Sequence, residues 1–216
     1  MKRYFVLVFV LFSFFSIVLS VKYVRASLPL SGKLIIIDPG HGGLDVGTSY
    51  KNIYEKDINL NISKKLEQTL MKYGASVVMT RTGDYDLSVP NTTRRKKSDF
   101  DNRIKLINQS KADLYLSIHQ NYLNDFSYSG AQVFYNNDNL KLASSIQDVM
   151  NKKLNANRKI KSIPTDTYMY SKLQISGVLI ECGFISNSDE RLKLLDDNYQ
   201  NEIALAITEG LLKYFS

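Results

Sequence analysis

The sequence predicts a single α/β domain, with about six strands in a mostly parallel sheet flanked by helices on both faces. Three observations carry that prediction. Beyond Ser31-Gly32, short apolar runs alternate with longer segments of helical periodicity, the order that builds parallel sheets. A chain of 216 residues suits one domain of ordinary size, able to bury about 70% of its unfolded surface around a single core. No internal repeat or low-complexity tract interrupts the pattern.

Residues 1–26 differ in kind from the rest. Lys2-Arg3 precede an uncharged apolar stretch of 18 residues, Tyr4 to Val21, and Lys22 and Arg25 close it. Val24-x-Ala26 matches the small-residue cleavage pattern of a signal peptide, while the apolar run is longer than a usual signal core and close to membrane-spanning length. The segment is expected to be a signal peptide or an N-terminal membrane anchor, with cleaved export slightly favoured. In either case residues 27–216 form the folded domain and are expected to lie outside the cytoplasm.

The first strand is predicted at Leu34 to Asp38. Ile58, Ile62, Leu66 and Leu70 then recur every four residues, and Gly74 follows as a stop, which predicts a helix from Glu55 to Tyr73. Further strands are predicted at Ser76 to Thr80, Leu114 to His119, Ala131 to Tyr135 and Val178 to Glu181, with a weaker sixth at Thr167 to Tyr170. The same periodicity argument predicts helices over Asp99 to Gln109, Asn139 to Leu154, Ser188 to Leu195 and Tyr199 to Tyr214. Thr82 to Ser98 is polar, contains Pro90 and Arg94-Arg95-Lys96-Lys97, and has no sustained period, so it is read as a surface loop. Its cations are read first as a solvated face, and second as a grip on carboxylates or phosphates of an anionic polymer.

The formal charge is +7, and the four cations of the leader, which has no acid, account for more than half of it; the remaining domain carries +3. So mild an excess gives no argument for a nucleic-acid partner. It suits weak, salt-screened approach to an acidic surface. The lone cysteine, Cys182, excludes an intramolecular disulfide, so the fold must rest on its core and on any bound metal. With no spare histidine to act as its base, Cys182 is read as a small buried apolar residue.

Function is most legible in the two histidines, the only ones in the chain. His41 follows the apolar run Leu34-Ile35-Ile36-Ile37 and sits between Gly40 and Gly42-Gly43, while His119 closes Leu114-Tyr115-Leu116-Ser117-Ile118. Imidazole is the commonest side-chain metal ligand, and strand carboxyl ends are where sites assemble in α/β folds. Glu55, at the start of the helix that follows, completes a His, Glu, His set that leaves a coordination position open for water, a familiar hydrolytic zinc arrangement. Such a metal polarises a carbonyl and lowers the pKa of its water. Glu181 ends the apolar strand Val178-Leu179-Ile180, where a carboxylate is costly unless paired or used. The functional reading makes it the acid/base that takes a proton from water and returns it to a leaving nitrogen. The structural alternative is an ion pair with Arg103 or Arg81.

Ile36-Ile37-Asp38-Pro39-Gly40-His41-Gly42-Gly43-Leu44-Asp45, Thr80-Arg81, Arg103 with Asn108, Ala112-Asp113-Leu114-Tyr115-Leu116-Ser117-Ile118-His119-Gln120-Asn121 and Val178-Leu179-Ile180-Glu181-Cys182-Gly183-Phe184-Ile185-Ser186-Asn187 resemble the zinc-dependent N-acetylmuramoyl-L-alanine amidases. The resemblance runs from about Leu34 to the C-terminus. It implies zinc held by His41, Glu55 and His119, with Glu181 as catalytic acid/base. It further implies cleavage, in peptidoglycan, of the amide between the lactyl group of muramic acid and L-alanine. Asn121, Arg81 and Arg103 are candidate substrate contacts. Val46 and Tyr122 stand where many members have Pro or Ser and Ala, differences that bear on substrate fit. The short segment from His119 to Ala131 leaves no room for the inhibitory helix of some members. The compact plan resembles the spore-cortex amidases, which prepare muramic acid for its lactam. That likeness implies a place in the cell wall or at a membrane, including the forespore intermembrane space, and, as in some clostridial relatives, a lipoprotein activator.

Two other readings use the same residues. A zinc carboxypeptidase or endopeptidase acting on stem peptides would share the metal, the water and the glutamate, with Arg81 or Arg103 gripping a terminal carboxylate. A wall-binding protein whose site no longer turns over is the third.

Overall fold

A computed structural model describes the backbone of residues 2–136 and 138–216, and within the first helix the side chains of 9–21 only. That helix, α1 (Lys2–Ser27), leaves Phe9, Phe12, Phe14 and Phe15 exposed. Among the described residues no helix is long and apolar enough to cross a membrane. The side chains of residues 1–8 and 22–26 of the expected leader lie outside the described residues.

The elements that follow are β1 (Leu34–Pro39), β2 (Ser49–Tyr50), β3 (Ile53–Tyr54), α2 (Glu55–Lys72), β4 (Ser76–Met79), α3 (Arg95–Gln109), β5 (Leu114–Asn121), β6 (Gln132–Tyr135), α4 (Leu140–Leu154), β7 (Lys161–Ser162), β8 (Gly177–Phe184), α5 (Ser188–Leu194) and α6 (Asp197–Phe215). Six of the strands form one sheet in the order β4-β1-β5-β8-β6-β7. The strands β4, β1, β5 and β8 are mutually parallel, whereas β6 runs antiparallel to β8 and parallel to β7. This is the mostly parallel six-stranded sheet expected from the sequence.

Alternation along the strands assigns the two faces. Ile35, Ile37, Leu114, Leu116, Ile118, Val178 and Ile180 turn towards α2, α4 and α6 in the larger core. Ile36, Tyr115 and Leu179 turn the other way, against Ile107 and Phe100 of α3. Continuing the same alternation, Asp38, Ser117, His119 and Glu181 follow on the α3 face at the carboxyl ends of β1, β5 and β8. The strand pattern therefore carries the site residues to one edge of one face. Cys182 turns back into the larger core and is fully buried.

Two expectations are corrected. The sixth strand is Lys161–Ser162, not Thr167 to Tyr170. The latter segment ends in a short 3-10 helix over Tyr170–Lys172, and its Met169 and Tyr170 are buried in the α3-side core, which explains the apolar signal without a strand. Lys161 and Ser162 are both exposed at the sheet edge, so their pairing with Phe134 and Tyr135 left no hydrophobic mark. The second correction concerns the cationic run: α3 begins at Arg95 rather than Asp99. No apolar period marks that first turn because charges fix it, Arg95 to Asp86 at 2.6 Å and Lys97 to Asp101 at 2.6 Å.

Candidate active site

Glu55 opens α2 immediately after the β2–β3 hairpin, and its carboxylate is 2% exposed. Backbone N–H groups of Thr48 and Gln120 donate to it at 2.8 and 3.1 Å, as does Asn59 Nδ2 at 3.2 Å. Its Oε2 lies 3.2 Å from His41 Nε2 and its Oε1 2.9 Å from His119 Nδ1. Burial opposes ionisation of this carboxyl, but the two imidazoles outweigh it and hold the group well below the usual carboxylate range. The histidine rings meet edge to face with centroids 5.0 Å apart.

His41 occupies a left-handed backbone conformation (φ 62°), uncommon for a residue with a Cβ and a conformation that clusters at functional sites. The surrounding contacts enforce it. The Pro39 and His41 carbonyls accept from Arg103, and Pro39 and Gly40 accept from Arg81. Asp45 Oδ2 lies 2.9 Å from His41 Nδ1, orienting the ring so that Nε2 faces Glu55. Burial works against a charged His41, yet the Asp45 and Glu55 hydrogen bonds prevail and push its pKa up to about 9. The same contact pulls Asp45 down to about 2.

One donor atom from each of His41, Glu55 and His119 lies within 4.8 Å of the others, a fit for a small divalent cation. Two nitrogens and one carboxylate oxygen are a donor set that suits zinc and leaves a fourth position open. The Asp45 to His41 contact is the kind of outer support that fixes a ligating imidazole. Gly40 makes room for the set: a Cβ there would overlap the imidazole of His119. Gly40→Ala is expected to weaken zinc binding by about 10- to 100-fold, the usual cost of disturbing a ligand's support. Competition with a chromogenic chelator measures this, and unchanged affinity would remove the steric role of Gly40.

Glu181 stands beside His119 in the β5–β8 register. It is half-buried, but its Oε2 is shut off from solvent without a hydrogen-bond partner among the described residues. Burial, opposed by His119 and reinforced by the Glu55 charge, pushes its pKa up to about 7, where a group can both accept and return a proton. The structural alternative, an ion pair with Arg103 or Arg81, does not form among the described residues. Arg103 is spent on Asp38 at 2.7 Å and Asp99 at 2.9 Å, and Arg81 on the carbonyls of Pro39, Gly40, Lys56 and Gly83. Both arginines are 1% exposed. The structure thus places them behind the His41 loop as its supports. Asn121 ends β5 two residues past His119, half-buried, its Oδ1 accepting from Tyr122 N at 2.8 Å.

Reading the sequence alone did not single out Asp45, Asn59 or the pocket residues Phe100 and Tyr168. Asp45 had a findable signal, four residues beyond His41. The pocket had none, because Phe100 and Tyr168 come from elements far apart in the chain. With Met169 and the two histidines they line a cavity of about 120 Å3.

A parallel-stranded α/β sheet with a His, Glu, His donor set and an unpartnered glutamate at adjoining strand ends has the architecture of a metal-dependent hydrolase. Residues 35–213 match the profile of the N-acetylmuramoyl-L-alanine amidase family. The chain is 43% identical over 197 residues to the germination-specific N-acetylmuramoyl-L-alanine amidase of Bacillus subtilis, covering 88% of this chain and 83% of that protein. It is 36% identical to the probable cell wall amidase LytH of Staphylococcus aureus, covering 87% of this chain but 60% of that one. Among solved structures it resembles the CwlD amidase of Clostridioides difficile, determined in complex with the GerS lipoprotein, with TM-score 0.80 and 39% identity over 85% of this chain and 98% of the other. The chain belongs to the N-acetylmuramoyl-L-alanine amidase family, and the resemblance seen in its motifs is borne out.

Proposed function

We propose that this protein hydrolyses the amide between the lactyl group of N-acetylmuramic acid and L-alanine of the peptidoglycan stem, with zinc held by His41, Glu55 and His119. The observation that carries the reading is the unpartnered Glu181 carboxylate beside a three-donor site on a family fold. Zinc, when bound, supplies a Lewis acid that polarises the amide carbonyl and acidifies water. Glu181 accepts the proton of the attacking water and delivers it to the nitrogen as the carbon–nitrogen bond breaks. Glu55 holds both imidazoles in place, and Asp45 fixes the ring of His41. The commitment of Arg81 and Arg103 to interior carbonyls and carboxylates leaves neither as the carboxylate grip that a carboxypeptidase needs.

The activity is assigned to spore-cortex maturation, in which freed muramic acid goes on to its lactam. That assignment draws on likeness to a germination-specific relative. It implies export through residues 1–26, as a signal or anchor, to the wall side of a membrane such as the forespore intermembrane space. A lipoprotein activator is the second element of the proposal, supported by the GerS complex of the clostridial relative.

Incubating the zinc-supplied protein with defined muropeptides and weighing the products tests the reaction. Release of an intact stem peptide beginning at L-alanine is expected. Loss of a terminal D-alanine would establish a carboxypeptidase instead, and binding to wall material without product a non-catalytic protein. Zinc titration of the purified chain tests the activator: weak binding is expected, and tight stoichiometric binding with full activity would dismiss it.

A further inference from the structure

We propose that Asn59 and Gln120 are the positioning residues of the metal site: their paired side-chain amides fix the Glu55 carboxylate and tie it to the His41 loop, so that the donor set is arranged before a metal meets it. The inference rests on the ligand set of His41, Glu55 and His119 proposed above, and adds to it the device that arranges that set.

Neither amide belongs to the donor set, and both are buried. Asn59 lies four residues after Glu55 on α2, which puts the two side chains on one face of the helix. Its Nδ2 donates to Glu55 Oε1 and to the Gly40 carbonyl, each at 3.2 Å. An ionised carboxylate and a backbone carbonyl only accept, so the amide nitrogen must face them and Oδ1 must face elsewhere. That oxygen meets Gln120 Nε2 at 3.1 Å. Gln120 thereby holds the Asn59 amide in the one orientation that donates to Glu55. Its backbone N–H donates to the same Oε1 at 3.1 Å, so β5 grips Glu55 twice, directly and through Asn59. Gly40 precedes His41, and Asn59 therefore also joins Glu55 to the loop that carries the first histidine.

Folding alone does not explain this pair. With Nε2 turned to Asn59, Gln120 Oε1 is shut off from solvent without a hydrogen-bond partner among the described residues. A buried orphan oxygen opposes folding, whereas an apolar pair of the same shape would fill the space without one. What an apolar pair would not supply is the second donor to Glu55 Oε1 and the link from Glu55 to the His41 loop.

Asn59→Leu, Gln120→Met and the double variant nearly keep the side-chain shapes and remove the amides. In the full chain, zinc affinity measured by chelator competition should fall about 10- to 100-fold for Asn59→Leu, the usual effect of losing a ligand's support. Gln120→Met should lower it by less, because Asn59 still donates but is no longer held. Since the Gln120 side chain acts through Asn59, the double variant should bind zinc no more weakly than Asn59→Leu alone. The urea midpoint of the zinc-free protein should move differently. Asn59→Leu strands Gln120 Nε2 and lowers the midpoint, and adding Gln120→Met removes the stranded amide and raises it again. Stability that returns in the double variant while zinc affinity does not is the result expected of positioning residues. Should Asn59→Leu alone not fold, the double variant and Gln120→Met carry the same comparison with the wild type. Zinc affinity that returns together with stability, losses that add, or wild-type affinity in all three variants would overturn the inference. His119→Ala tests its foundation separately. Wild-type zinc binding in that variant would overturn the ligand set and this inference with it, whereas loss of zinc in His119→Ala alone would overturn only the role of Asn59 and Gln120.

Discussion

Replacing Glu181 by glutamine lowers kcat/KM for the muramoyl amide by about 10²- to 10⁴-fold, the range for removing a positioned general acid/base, while zinc affinity is retained. The two effects separate because Glu181 lies outside the donor set of His41, Glu55 and His119. Glutamine keeps the shape of the side chain but cannot take a proton from water at neutral pH. His119→Ala, by contrast, should lose metal and activity together. A stability measurement adds an independent sign. Folding raises the pKa of Glu181 to about 7, chiefly through burial. A carboxyl whose pKa rises on folding opposes folding once pH passes its unfolded value, progressively up to the folded one. Chelator-treated Glu181→Gln should therefore melt above the wild type at pH 8, and the gap should close towards pH 4. Full turnover in the variant would remove Glu181 from the mechanism, and a lower melting point at pH 8 would contradict its unpartnered state.

The sheet and the donor set were legible because both leave local marks. Parallel buried strands are continuous apolar runs, and His41, His119 and Glu181 stand where those runs stop. Glu55 was legible through the helix that it opens. Lys161 and Ser162 were not, since an exposed edge strand of two residues is held by backbone pairing to β6 and needs no apolar side chain. The first turn of α3 was missed for a related reason: Arg95 and Lys97 are set by Asp86 and Asp101, contacts that hydrophobic periodicity does not record. The roles of Arg81 and Arg103 were beyond reach on other grounds. Both face the same carbonyl-rich loop, but only the folded approach of α3 and of the carboxyl end of β4 to that loop shows that their guanidinium groups point inward to Pro39, Gly40 and His41.

Arg103→Met is expected to destabilise the protein by about 3–5 kcal/mol, the cost of stranding a buried charge by removing its partner. Asp38 is 1% exposed and takes hydrogen bonds from Thr80 Oγ1 at 2.6 Å, Ser117 Oγ at 3.1 Å and Arg103 Nη1 at 2.7 Å. Burial opposes its charge, and Arg103 with the Thr80 hydroxyl holds its pKa below the usual value all the same. Asp99, on the next turn of α3, loses the same countercharge. Urea unfolding of the zinc-free protein measures the loss, and a change below about 1 kcal/mol, the worth of a surface pair, would show that the charges are not effectively buried. Arg103→Lys then divides electrostatics from geometry. An ammonium restores a positive charge opposite Asp38 but cannot span both carboxylates and the Pro39 and His41 carbonyls as the guanidinium fork does. Stability should return in large part while zinc affinity stays depressed, because His41 has lost the contact that holds its backbone in the left-handed conformation. Recovery of both together would mean that charge alone positions the His41 loop.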